Sequence, residues 1–185
     1  MEHTEITLPA ELSPILSHSH IAQAQMQWVT GDAVPQPYGK LLVHDHDMTS
    51  ALEAFHHGPI SLEVLRSESR EGSYMREVVL HSEVSKQPVE YGVIEILLDS
   101  FPEDIRPLIL GGEIPLGRIL NESGMPYYSE PQGFFHIHEE GLRSVFPASS
   151  SGGILYGRYN HLIRGDHAQI LARIIEILPL VGSSS

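Results

Sequence analysis

The stretch Ser73–Leu98, SYMREVVLHSEVSKQPVEYGVIEILL, decides the fold. Two runs rich in β-branched and apolar residues flank the polar segment EVSKQ, which has the length of a hairpin connection, so the stretch predicts two antiparallel strands. Side chains of a strand alternate between faces, so residues of like parity share a side. At 74–80 the even positions are Tyr74, Arg76, Val78 and Leu80. Arg76 therefore shares an apolar face.

The same pattern extends outward in both directions. Before the hairpin, ISLEVLRSE alternates Ile60, Leu62 and Val64 with polar positions and predicts a strand. SALEAFHH predicts a short helix stopped by Gly58-Pro59; Asp47, Thr49 or a Ser50–Glu53 capping box can start it. After the hairpin, Pro102–Leu110 and Pro115–Asn121 predict short helices split by Gly111-Gly112. YYSEPQGFFHIH reads as a broken strand and ASSSGG as a turn. ILYGRYNHLI and QILARIIEIL read as strands joined by RGDHA. Upstream, Ser13-Pro14 opens a predicted helix running to Val29, with Ile15, Leu16, Ile21, Met26 and Val29 as its stripe. TGDAVPQPYG reads as a loop. Residues 1–12 and 181–185 read as disordered tails. Hairpins dominate, so the expectation is one α+β domain over 1–185, an antiparallel sheet with helices.

Parity picks out two more charges. In the last strand Glu176 sits among Ile170, Ala172, Ile174 and Leu178, and in ILYGRYNHL Arg158 shares parity with Tyr156, Asn160 and Leu162. An ionised group on a core face costs several kcal/mol unless paired, roughly 3–5 when one partner is missing. Either Arg76 and Glu176 pair with each other or snorkel at an edge, or they line a closed pocket. In the pocket, Arg holds a ligand carboxylate and a desolvated Glu handles a proton.

Composition narrows the field. The 185 residues, 41% of them hydrophobic, suit one domain with a real core. There is no cysteine, which excludes disulfides, thiolate metal sites and a Cys nucleophile and fits a reducing compartment. The net charge of −13 makes nucleic acid a poor partner and makes each inward Arg a local exception that points to a small anionic ligand. MEHTEITLPAEL lacks the features of a signal peptide, and ILARIIEILPLVG is interrupted by charges and too short for a membrane span. A cytoplasmic protein is expected, with no membrane partner.

Twelve histidines raise a metal reading, above all His44-Asp45-His46-Asp47 and His136-x-His138. The cupin pattern fails, because Glu130 stands where its Gly belongs and Glu139 and Glu140 follow His138 too closely. No metal is expected.

The pieces HDMTSALE, YMREVVLH, IPLGRIL, YGR and RIIEILP stand in an order and spacing that resembles the chorismate lyase (chorismate pyruvate-lyase) family, over roughly residues 40–180. The resemblance implies a single α+β domain, its antiparallel sheet covered by helical flaps over a buried site; Gly111-Gly112 and Gly117 are candidate hinges for such flaps. It implies loss of the enolpyruvyl group of chorismate as pyruvate, leaving 4-hydroxybenzoate, with no cofactor. By the same resemblance Arg76 would bind the ring carboxylate, Leu116 would offer its backbone N–H, Met48 and Thr49 would line the flap side, and Glu176 would bond the 4-hydroxyl and assist proton transfer. Arg158 would meet the enolpyruvyl carboxylate. The rival readings are a non-catalytic module binding an aromatic acid, as in the effector domains of GntR-type regulators, and a lyase acting on a chorismate relative. The first lacks a basic N-terminal winged helix here, since residues 1–40 carry one Lys and no Arg.

Overall fold

The hairpin at 73–98 forms and lies inside a larger sheet. The structure is a computed structural model that describes residues 8, 10–147, 153–165 and 168–179. Its strands are β1 (Gln27–Val29), β2 (Ile60–Arg70), β3 (Ser73–Ser82), β4 (Pro88–Leu97), β5 (Tyr127–His138), β6 (Ile154–Arg164) and β7 (Gln169–Ile177). All pair antiparallel in the order β1-β5-β6-β7-β4-β3-β2. Two three-stranded meanders, β2-β3-β4 and β5-β6-β7, are thus joined where β7 docks on β4.

The helices are α1 (Ser13–Leu16), α2 (Tyr38–Leu42), α3 (Met48–His56), α4 (Arg106–Gly111) and α5 (Leu116–Ser123). The arrangement is a single α+β domain with a seven-stranded antiparallel sheet, as expected. Both faces of the sheet are covered. On one, Met75, Val79, Tyr91, Val93, Phe135 and Ile175 pack against Leu12, Ile15 and Ile21 of the N-terminal segment. On the other, Tyr74, Ile94, Leu162 and Ile174 pack under α4 and α5, and Leu80 packs near Leu42, Met48 and Leu52 of α2 and α3. Double-sided burial is why β3, β4 and β7 carry apolar residues at both parities, and why a charge on either face is informative.

Three expectations change. The helix drawn to Val29 ends at Leu16. The hydroxyls of Ser17 and Ser19 bond back to the carbonyls of Pro14 and Leu16, His20 N–H goes to Glu77, and Gln27–Val29 pairs with β5. Ile15 and Ile21 are still buried, so the apolar stripe needed burial rather than a helix. Second, the loop TGDAVPQPYG runs into α2, whose Tyr38, Leu41 and Leu42 are buried; five residues are too few to show a helical period. Third, the segment 1–12 is not wholly loose, because Ala10–Leu12 forms a 3₁₀ turn and Leu12 is buried. Residues 148–152 of the ASSSGG turn and the tail 181–185 lie outside the described residues.

Candidate functional site

The helix-covered face carries a partly open cavity of about 60 Å³. Its floor comes from alternate residues of β3, β4 and β7, which register aligns in rows. Arg76, Ile94 and Ile174 form one row; Val78, Gly92, Glu176 and Arg158 the next; Leu80 and Glu90 the third. Successive rows lie two residues apart, roughly 7 Å along the strands. The roof is the start of α3 (Met48, Thr49) and of α5 (Leu116, Gly117). Arg76, Glu176, Met48, Thr49 and Leu116, all singled out in the sequence, therefore face one space.

Arg76 is 2% exposed. Its nearest acceptor is the Ile109 carbonyl, 3.5 Å from Nη1, and its Nε has no hydrogen-bond partner. Burial lowers its pKa to about 10, so it keeps its charge at neutral pH. No carboxylate pairs with it among the described residues. The pairing of Arg76 with Glu176 considered from parity is not what forms.

Glu176 pairs instead with Arg158, its direct cross-strand neighbour, whose Nε donates to Oε2. The rest of that guanidinium is spent on backbone: Nη1 donates to the carbonyls of Leu42 and His44, both at 3.1 Å, and Nη2 to that of His46 at 3.4 Å. Arg158 is fully buried and does not line the cavity. The role expected for it, a second positive group for the ligand, is corrected: it fastens the chain at 42–46 to the sheet and neutralises Glu176. Among the lining residues Arg76 is the one cation.

The HDHD stretch acquires a structural account. Asp47 is the N-cap of α3, its Oδ1 accepting from Ser50 N–H at 2.8 Å and its Oδ2 from the Ser50 hydroxyl at 2.8 Å. His44 bonds the Leu41 carbonyl through Nε2 at 2.8 Å and stacks on His46. Burial, then the nearby Arg158 charge, lowers the His44 pKa. Among the described residues no three His, Asp or Glu side chains are grouped to hold a metal.

The two roof helices meet closely. A Cβ on Gly117 would lie 2.5 Å from Asp47 Oδ1 and 2.9 Å from Thr49 Oγ1, so this glycine serves close approach rather than hinging. Asn121 reaches the Asp47 carboxylate at 3.4 Å and the Ser50 hydroxyl at 3.1 Å, and Arg118 pairs with Glu53 at 2.5 Å. The N-terminus of α5 has no side-chain cap, so its first N–H groups, starting with Leu116, retain their positive partial charge beside the cavity.

Sequence reasoning missed one lining acid. Glu90 is 4% exposed, and its pKa is pushed well up by burial first and then by the charges of Glu176 and Asp47, against an opposing pull from Arg158. Parity would have found it, because Glu90 shares a face with Gly92, Ile94 and Ile96. The sheet's other face holds its own buried acids: Glu77 accepts from Tyr91 and the His20 backbone, and Glu95 pairs with Arg173 at 2.6 Å.

No family model and no curated protein matches the chain. Solved structures do. PhnF from Mycobacterium smegmatis aligns over 72% of this chain with a TM-score of 0.52 at 9% identity, and the chain spans 63% of the PhnF length. The C-terminal domain of Yurk from Bacillus subtilis subsp. subtilis str. 168 aligns over 64% of this chain and 86% of its own, with a TM-score of 0.40 at 14% identity, too slight to argue from. The likeness to PhnF is one of fold alone. Among the described residues no helix is long and apolar enough to cross a membrane.

Proposed function

We propose that the protein is a cofactor-independent lyase that eliminates pyruvate from chorismate and leaves 4-hydroxybenzoate. The observation that carries this reading is Arg76, a buried charge without a carboxylate partner, facing a covered apolar cavity that also holds Glu176. A guanidinium so placed lacks its counter-charge until an anion enters. With the ring carboxylate on Arg76, the far side of the ring points along the rows toward Glu176 and Glu90.

Elimination breaks the bond between ring C3 and the ether oxygen and removes the hydrogen at C4. The ring becomes aromatic, and the departing enolpyruvate gains a proton and ketonises to pyruvate. The balance requires no oxidant, reductant or cofactor. Arg76 orients the ring, Glu176 accepts a hydrogen bond from the 4-hydroxyl and assists removal of the C4 proton, and the N–H groups opening α5 favour the second carboxylate. Val78, Leu80, Ile94, Leu162 and Ile174 keep water from the ring. A cysteine-free chain suits the reducing cytoplasm, where we place the enzyme. The test is to incubate purified protein with chorismate and EDTA and to follow 4-hydroxybenzoate and pyruvate, which are expected in equal amounts. If neither forms with enzyme at stoichiometric concentration, the lyase reading fails.

One observation favours a second reading, a non-catalytic binder of an aromatic acid. The lining offers one cation against the carboxyl groups of Asp47, Glu90 and Glu176. That balance suits a monoanion better than the chorismate dianion. Tight 4-hydroxybenzoate binding without any chorismate turnover would establish the binder.

A further inference from the structure

We infer that Glu90 is a second functional carboxyl of this cavity: as the neutral acid it donates a hydrogen bond to an oxygen substituent on the far side of the bound ring and, in turnover, gives that proton to the departing ether oxygen. The inference deepens the lyase reading above and, for its proton-transfer step, rests on it.

The placement comes first. Glu90 stands in the third row, at the opposite end of the floor from Arg76, with the Glu176 row between them. A ring ligand held by its carboxylate at Arg76 therefore directs its oxygen substituents toward Glu176 and Glu90. Gly92 leaves the way open: a Cβ there would lie 3.5 Å from Glu90 Oε1 and 3.1 Å from Val78, inside the space a ligand needs.

The hydrogen bonding comes second. Glu90 Oε2 is buried and has no partner. A buried polar oxygen left so costs about 1–3 kcal/mol. Other buried acids on the sheet secure something: Glu77 holds the N-terminal segment through His20, Glu95 holds Arg173, and Glu176 holds Arg158. Glu90 secures no element to another. A burial cost without a structural return is what a ligand-facing group shows.

The charges come third. Glu176 from β7 and Asp47 from the start of α3 both oppose ionisation of Glu90, and burial adds to them. Arg158 of β6 works the other way but is committed to Glu176 and to three backbone carbonyls. Arg76 of β3 stands at the far end. Two neighbouring carboxyls, one matched by an arginine and one pushed toward its neutral form by burial and like charge, are the arrangement from which an acid and a base are assigned. In the elimination the C4 proton leaves toward Glu176, the C3–O bond breaks, and the Glu90 proton passes to the ether oxygen. That gives enolpyruvate, which becomes pyruvate. Glu90 is then reloaded from Glu176, which closes the proton balance.

The test has two arms. In infrared difference spectra at pH 7, wild type should show a protonated-carboxyl C=O band that is absent from Glu90→Gln and that shifts when 4-hydroxybenzoate is added. A missing band, or one the ligand leaves unmoved, overturns the inference whether or not chorismate is turned over. In kinetics, Glu90→Gln should bind 4-hydroxybenzoate within about fivefold of wild type yet lose about 10²-fold or more in kcat, with the alkaline limb of the pH–rate profile removed. Turnover within threefold of wild type, alkaline limb intact, overturns the acid role while leaving the lyase reading standing. A wild-type protein that makes no pyruvate sinks the lyase reading and the acid step together, and the infrared arm then decides the hydrogen-bond donor alone.

Discussion

Arg158 lies directly across the strand pair from Glu176 and is neutralised inside the protein, whereas Arg76 lies across from Ile94 and Ser67 and meets no acid. The sequence reading expects both arginines to meet a ligand carboxylate, and only Arg76 lines the cavity. Their different surroundings give opposite mutational expectations. Arg76→Ala should raise KM, or the Kd for 4-hydroxybenzoate, by about 10- to 100-fold, the worth of a charge-assisted hydrogen bond. It should leave the melting temperature unchanged or higher, since an unpaired buried charge is removed. Glu176→Gln should lower kcat about 10²-fold and also lower stability by about 3–5 kcal/mol, because it strands the Arg158 guanidinium. Steady-state kinetics alongside thermal melts check both; equal and small effects would refute the assigned roles. Glu90 is hidden in sequence by its surroundings: it stands in the strongly apolar run PVEYGVIEIL, where hydrophobicity dominates the pattern, although its parity with Gly92, Ile94 and Ile96 marks it.

The elements over the site are short. The nine residues of α3 and eight of α5 cannot hold a helix alone in water, so they owe their form to docking. Their mutual contact is the narrow point, at Gly117. Gly117→Ala puts a methyl 2.5 Å from Asp47 Oδ1, the atom that caps α3. We expect a loss of about 1–3 kcal/mol in stability together with weaker 4-hydroxybenzoate binding, measured by thermal melt and titration. A variant unchanged in both would mean that the helices part without cost. At this scale the strands were readable and the N-terminal segment was not. A strand announces itself by alternation over many residues, while the path of 17–29 is set by Glu77 and β5, partners more than 50 residues away in sequence.

Over the whole molecule, the two faces of the sheet respond to pH in opposite senses. On the N-terminal face, burial works to raise the Glu77 pKa, but hydrogen bonds from Tyr91 and His20 outweigh it and the net shift is down. That contribution is present above the unfolded carboxyl value, about 4.3, and is lost as pH falls through the lower folded value. On the cavity face the Glu90 pKa is raised, so its contribution is complete below the unfolded value and is lost as pH rises toward and through the folded one. Each proton linked in this way changes stability by at most about 1.4 kcal/mol per pH unit. Melting temperature against pH should therefore show a maximum in mildly acid solution, with Glu90→Gln flattening the alkaline side and Glu77→Gln the acid side. A profile that neither substitution changes would contradict this account.

The faces of the strands are legible from residue order alone. Alternation along each strand sets which neighbours share a face with Arg76, with Arg158, with Glu176 and with Glu90, because a strand's side-chain period is two whatever the strand pairs with. Which of those faces align, and which charges meet, is set by how the strands pair. Register brings position 158 opposite 176 and position 92 opposite 176, and it leaves 76 between Ile94 and Ser67, neither of them an acid. The meeting of β7 with β4 joins residues about 80 positions apart, and no local pattern carries that information. The free charge on Arg76, the occupied Arg158 and the unpartnered acid at Glu90 all follow from that pairing.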